Sequence, residues 1–225
     1  MLQNILTTSV GRKQIVATTG LMLILFIVGH LAGNLLIYLG PDAFNAYAHK
    51  MASLRPGLYA VEALLLLIFL IHMFFTALLV LENIKARGNT RYHTYKPVGQ
   101  RSLATRLMPY TGSVILIFVI VHLLDFTFID KTGAESILPD GKSYELYGVV
   151  INAFGNPVHG MFYIIAMLCV GLHLHHGVAS FIQTFGFNHP TITPLVKRVS
   201  HWFALFITVG FSSIPIYCYY LYSQF

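Results

Sequence analysis

Charge is what this sequence has least of. Only 10% of its 225 residues are Asp, Glu, Lys or Arg, where a soluble domain carries about a quarter. So thin a charged layer cannot cover a surface facing water. The balance is made up by apolar residues, 56% of the chain, gathered in long runs that place it in lipid. Cysteine is scarcer still. Cys169 and Cys218 both fall inside apolar runs, with no Cys-x-x-Cys and no Cys-x-x-Cys-His. Those absences leave no local scaffold for a metal cluster or a thioether-linked cofactor, and the two thiols read as packing residues. No tandem repeat and no low-complexity segment is visible. The first apolar run starts after Arg12 and Lys13 and reaches about Leu39, with no small-residue cleavage site behind it. It is too long for a signal-peptide core, so no removable leader is expected.

Crossing about 30 Å of hydrocarbon takes roughly 20 helical residues. Five runs qualify, about 15–39, 59–82, 108–129, 158–186 and 202–222. Lipid offers the backbone no partners, so each single span must be a helix. The expected fold is all-α and integral to the membrane, one domain over residues 1–225. Ten of the fourteen Lys and Arg share one side: Arg12 and Lys13, then Lys85, Arg87, Arg91, Lys96, Arg101 and Arg106, then Lys197 and Arg198. Lys50, Arg55, Lys131 and Lys142 are on the other. The positive-inside rule puts the N-terminus in the cytoplasm.

The segments between spans have some structure of their own. Met1–Val10, with Leu2, Ile5 and Leu6 at helical spacing, reads as an interfacial piece. Residues 41–58 carry Phe44, Tyr47, Ala48 and Met51 on one face of a short surface helix. A second surface helix is expected around Tyr144–Val150, after a Pro139-Asp140-Gly141 turn. The basic 85–106 segment reads either as a docking face for a cytoplasmic partner or as a topology determinant alone. No aromatic–basic platform accompanies the charge, so no nucleic-acid partner is expected.

Eleven histidines is a high count for such a chain. His49, His93, His159, His189 and His201 fall in loops or at helix ends, where solvated roles are the default. His30, His72, His122 and His173 sit in four different spans, with His175 and His176 added to the fourth. One intramembrane histidine is as readily an interhelical hydrogen bond as a ligand. Four helices each supplying one point instead to a functional site. Haem iron in an electron carrier takes two axial bases, so four imidazoles suit two bis-histidine haems. At 1.5 Å per residue, His30 lies about 25 Å beyond Lys13 and His122 about 24 Å beyond Arg106, both toward the outside. His72 and His173 lie about 20 Å from the inner ends of their spans, nearer mid-membrane. Depth therefore pairs His30 with His122 at an outer haem and His72 with His173 at an inner one. Gly29 and Gly33 beside His30, and Gly177 after His173, leave room for a porphyrin, although Gly29-xxx-Gly33 is also a helix-packing motif. Phe118 and Phe126 flank His122, to stack on a ring edge or to fill the core. His175 points away from the ligand face, toward another helix.

Read in order, TTGLMLILFIVGHLAGNL (18–35), IHMFF around His72, VHLLDF around His122 and GLHLHHGVASFIQTFG (171–186) resemble the cytochrome b membrane anchor of succinate dehydrogenase and fumarate reductase. The form resembled has one five-helix polypeptide and two haems b. The resemblance implies that the fourth-span ligand lies four residues before a glycine, which selects His173 with Gly177. It also implies the pairing of first with third and second with fourth ligand helix. Its partners would be a flavoprotein with covalent FAD and an iron–sulfur subunit on the cytoplasmic side. The setting would be the bacterial cytoplasmic membrane, crossed several times, with membrane quinone (menaquinone or ubiquinone) as substrate. Some two-haem members carry a Glu two residues before the fourth-span ligand for proton transfer; here the position is Gly171.

The expected route runs from the iron–sulfur partner to the inner haem, the outer haem and quinone, or in reverse. Dicarboxylate chemistry would stay on the partner subunits. Lys13, Arg106 and His176 are candidates for haem propionates, His176 also for a quinone oxygen, and Asp125 or Glu62 for an ionisable group at the quinone. Two rivals make different predictions. The diheme anchor of another dehydrogenase would not co-purify with covalent flavin. A histidine-lined transporter would bind no haem and would need matched broken helices, which the sequence lacks.

Overall fold

A computed structural model describes residues 6–87, 103–187 and 189–225. Its helices are α1 (Ser9–Asn34), α2 (Pro41–Ser53), α3 (Gly57–Arg87), α4 (Leu103–Phe126), α5 (Glu145–Gly155), α6 (Pro157–Thr184) and α7 (Ile192–Tyr222). Short 3-10 turns cover Leu35–Leu39 and Ala134–Ser136. Among the described residues, extended pairing is limited to one antiparallel bridge between Ile137 and Ser143. Five helices (α1 with its 3-10 extension, α3, α4, α6 and α7) are long and apolar enough to cross a membrane. Leu2 and Ile5 of the interfacial reading lie outside the described residues, as do His93, Arg91, Lys96 and Arg101 of the basic segment.

Local chemistry sets the ends. The Thr8 hydroxyl caps α1 by accepting from Gly11 N–H at 3.1 Å. Asn156 caps α6 by accepting from Val158 N–H at 2.9 Å, with Pro157 at the first helical position. Gly40, at φ +92, lets the chain leave α1 and turn directly into α2, a reversal that a side chain there would strain. The Pro139-Asp140-Gly141 turn closes through Gly141 N–H to Leu138 O at 2.9 Å, with Gly141 at φ +80.

Packing is uneven. The longest seam joins α6 to α7, α4 packs on α6, and α1 bridges α3, α6 and α7. One core cluster lies mid-bundle, with Leu31, Ala166, Met167, Val170, Leu174, Ala204 and Ile207. A second closes the end opposite the N-terminus, where α2 and α5 meet around Phe44, Tyr147, Ile151, Phe154 and Cys218. α3 packs chiefly along α1 and buries nothing through its apolar stretch, so most of its surface faces lipid or the bundle groove.

Three expectations change. The last span begins ten residues before 202, because Val196 and Ser200 bury one face of an amphipathic turn whose Lys197 and Arg198 stay exposed. Hydropathy averaged those charges into a loop, so His201 stands inside α7 rather than at its end. The helix expected at Tyr144–Val150 runs on to Gly155 and is no surface helix, since Val149, Val150, Ile151 and Phe154 are buried. Gly33 faces the ring of Tyr47: a Cβ there would come within 2.6–2.8 Å of it. That glycine makes room for α2 rather than for a flat cofactor.

Candidate functional site

The four intramembrane histidines meet in two pairs. His30 of α1 and His122 of α4 have ring centres 5.7 Å apart at 89°. His72 of α3 and His173 of α6 are 6.5 Å apart at 61°. Neither α1 with α4 nor α3 with α6 forms a packed helix pair. Each pair of rings therefore reaches across the interior of the bundle between helices held apart.

Two threonines fix the chemistry of the second pair. Thr19 Oγ1 donates to Ile15 O at 2.7 Å and lies 3.0 Å from His72 Nδ1. Thr111 Oγ1 donates to Leu107 O at 3.1 Å and lies 3.3 Å from His173 Nδ1. A hydroxyl that gives its proton to the helix carbonyl is able to accept from the ring, and an imidazole donating from Nδ1 would keep the Nε2 lone pair for a metal. The glycine after each threonine leaves room for the ring. A Cβ at Gly20 would be 3.2 Å from His72 Cε1, and one at Gly112 3.7 Å from His173 Cε1.

The hydrogen bonds also set the depths. Thr19 marks the level of His72 on α1, and His30 follows eleven residues later, about 16 Å along the helix. Thr111 and His122 repeat that spacing on α4. The first pair differs in its surroundings. His30 stacks on Phe26 at 5.3 Å, while His122 sits between Phe118 (5.6 Å) and Phe126 (5.4 Å). His122 Nδ1 is buried without a hydrogen-bond partner.

These residues fit a haem. An iron between two imidazoles, with metal–nitrogen bonds of about 2 Å, sets ring centres about 6 Å apart. Both observed spacings are near that value. A Cβ at Gly29 or Gly177 would meet nothing within 4 Å, so neither helix surface carries bulk there.

Beyond His122, at the end opposite the N-terminus, lies a polar cluster. Tyr163 Oη donates to Asp125 Oδ2 at 2.5 Å, and His159 Nε2 is 3.0 Å from the same oxygen. The Tyr163 ring is 6.2 Å from that of His122. Position along α4 points to Asp125, nothing in the sequence marks Tyr163, and His159, at a helix end where a solvated role is the default, joins the cluster instead. Glu62 is paired with Arg55 at 3.3 Å on the exposed rim. Lys13 and Arg106 are exposed, six and five residues toward the N-terminal face from Thr19 and Thr111, and His176 is half-buried three residues past His173. The ring of His175 meets that of His201 on α7 at 5.7 Å. Gly171 is buried in the α6–α7 seam, where a Cβ would collide with Thr208 Oγ1. A larger side chain there requires Thr208 to turn away or α7 to shift.

The missed threonines have a signature in the sequence. Thr-Gly followed eleven residues after the threonine by histidine occurs at Thr19-Gly20…His30 and again at Thr111-Gly112…His122. The order spanning helix, outer helix, spanning helix also occurs twice, as α1–α2–α3 and α4–α5–α6. Lipid-facing positions between the fixed points accept almost any apolar residue, so the recurrence leaves no continuous sequence similarity.

Among curated proteins, the chain is 30% identical over 192 residues to the succinate dehydrogenase cytochrome b558 subunit of Bacillus subtilis (strain 168). That match covers 85% of this chain and 86% of the relative. No family model and no solved structure matches the chain.

Proposed function

This chain belongs to the succinate dehydrogenase cytochrome b subunits, and on that footing we propose that it transfers electrons between an iron–sulfur partner and membrane quinone through two bis-histidine haems b. His72 and His173 hold the inner haem, and His30 and His122 the outer. Bound there, each haem supplies one-electron redox chemistry at its iron. The N-terminus is cytoplasmic, and the flavoprotein with FAD and the iron–sulfur subunit dock on that face. Lys13, Arg106 and His176, all on the cytoplasmic side of the inner pair, neutralise its propionates. The protein is a multi-pass protein of the bacterial cytoplasmic membrane.

The chain's own residues do the orienting and the proton handling. Phe26, Phe118 and Phe126 enclose the outer imidazoles and keep water from them. Quinone reduction consumes two electrons and two protons. Asp125, which accepts from Tyr163 and lies 3.0 Å from His159 Nε2, is the ionisable group that passes protons to the quinone oxygens from the outer surface. Gly171 offers no carboxylate for a route through the membrane.

The observation that carries this reading is the meeting of four imidazoles from four helices in two pairs at two depths. The test is haem per chain by pyridine haemochrome on the detergent-purified complex. Wild type should hold two haems b. His30→Ala, His72→Ala, His122→Ala and His173→Ala should each lose one or fail to assemble. A folded wild type without haem would sink the proposal.

A further inference from the structure

We infer that Thr19 and Thr111 are positioning residues that lock both inner imidazoles into one tautomer and, by hydrogen-bonding Nδ1, lower the redox potential of the haem they ligate. The inference rests on the cytochrome reading above. It comes from a difference between the two pairs. Both inner rings have a hydroxyl at Nδ1, at 3.0 Å and 3.3 Å, each already donating to its own helix backbone. On the outer pair, His122 Nδ1 is buried with no such partner. Both threonine side chains are themselves almost wholly buried, so water does not compete for them.

The chemical consequence is directional. An acceptor at Nδ1–H pushes electron density onto the ring and makes Nε2 a stronger base toward iron. A stronger base favours the ferric state, which lowers the potential. Without the acceptor, the unloaded ring is free to adopt the other tautomer, which presents N–H to the metal. The β-branched threonine also suits the geometry. Its χ1 is stiff in a helix, and donating back one turn holds Oγ1 in place. Each threonine bonds the histidine of the next spanning helix in its own half of the chain, so each half brings one inner ligand already oriented.

The test is a redox titration of the assembled membrane complex, following the α-band of the reduced b haems. Thr19→Val and Thr111→Val keep shape and remove the hydroxyl; Thr19→Ser and Thr111→Ser keep the hydroxyl. A His72→Ala complex retaining the outer haem identifies which wave is which. Each valine variant should hold two haems and raise the inner wave by up to about a tenfold change in oxidised-to-reduced ratio, about 59 mV for one electron. The outer wave and the serine variants should stay at wild type. Inner waves unmoved in both valine variants overturn the inference, as does a serine shift equal to valine's. If a valine variant loses the inner haem, the matching serine variant decides. Retention with a wild-type wave supports the hydroxyl's role, and loss there too, with the hydroxyl kept, overturns it. A wild type lacking two haems would overturn the cytochrome reading itself.

Discussion

Replacing Gly20 with alanine should weaken haem retention without weakening the fold, and its counterpart Gly112→Ala should do neither. Alanine in a helix is favoured over glycine by about 1 kcal/mol, so both substitutions begin with that gain. At Gly112 the new Cβ lies 3.7 Å from His173 Cε1, an ordinary contact, and the gain survives. At Gly20 it lies 3.2 Å from His72 Cε1, inside the about 3.5–4.0 Å optimum for carbon pairs. The imidazole must yield, while Thr19 holds it at 3.0 Å and His173 faces it across the groove. Forcing a side chain off its rotamer costs about 0.5–1.5 kcal/mol, and a compromised hydrogen bond about 1 kcal/mol more. The helix gain is shared by the haem-free and haem-loaded protein and does not enter the affinity, so the ligand site is left worse by about 2 kcal/mol, or about thirtyfold in haem affinity. The assay is loss of b-haem absorbance from the purified complex during challenge with a haem-scavenging apoprotein, beside a thermal melt. G20A should lose its inner haem about thirty times faster at a melting temperature no lower than wild type. Equal haem loss from G20A and G112A would refute the steric argument.

Other substitutions test other parts of the molecule. Asp125→Asn and Tyr163→Phe should each keep two haems while quinone-linked turnover falls at least about tenfold, the usual scale for a lost proton-transfer group; wild-type turnover in D125N would remove the cluster from the quinone chemistry. Gly33→Ala should destabilise the complex by about 1–3 kcal/mol through overpacking against Tyr47, and Tyr47→Ala in the same chain should restore the melting temperature if the ring is the obstacle. Gly171→Glu should abolish assembly, because the seam with Thr208 has no room for it; a normally assembled G171E complex would show that α7 yields there.

Much of this was legible because lipid makes a simple code. Twenty apolar residues with no backbone partner outside the segment must be helix, and rise per residue converts histidine position into depth. Those two rules give the spanning helices and the levels of His30, His72, His122 and His173. What they miss depends on which way a side chain points. Hydropathy puts His201 at a helix end because Lys197 and Arg198 outweigh Val196 and Ser200 in the average; amphipathic helix ends defeat such averages. Spacing alone cannot tell Gly33, which faces Tyr47, from Gly29, which faces nothing. Thr19 and Thr111 carry no signal of their own, because threonine in an apolar helix usually bonds its own backbone. Theirs do, and a remaining lone pair reaches the ring.

The recurring Thr-Gly…His spacing shows which distances are held and which drift. Thr111 and His122 each lie 92 positions after Thr19 and His30, so the spacing within one helix is kept to the residue. The threonine-to-histidine separation across two helices is 53 residues in the first half and 62 in the second. A hydrogen bond between neighbouring helices fixes their relative height but places no demand on the length of the connection between them. In the second half that connection carries the Pro139-Asp140-Gly141 turn and seats Ser136 and Leu138 against α5, closing the outer end of the bundle. Ser136 O lies so close to Gly148 that a Cβ could not fit between them. The two halves thus match at the levels of the imidazoles and differ at the outer rim, where the Asp125 cluster sits. A difference confined to that rim leaves two histidine pairs in the bundle interior and one polar cluster at the end opposite the N-terminus, built from the second half alone.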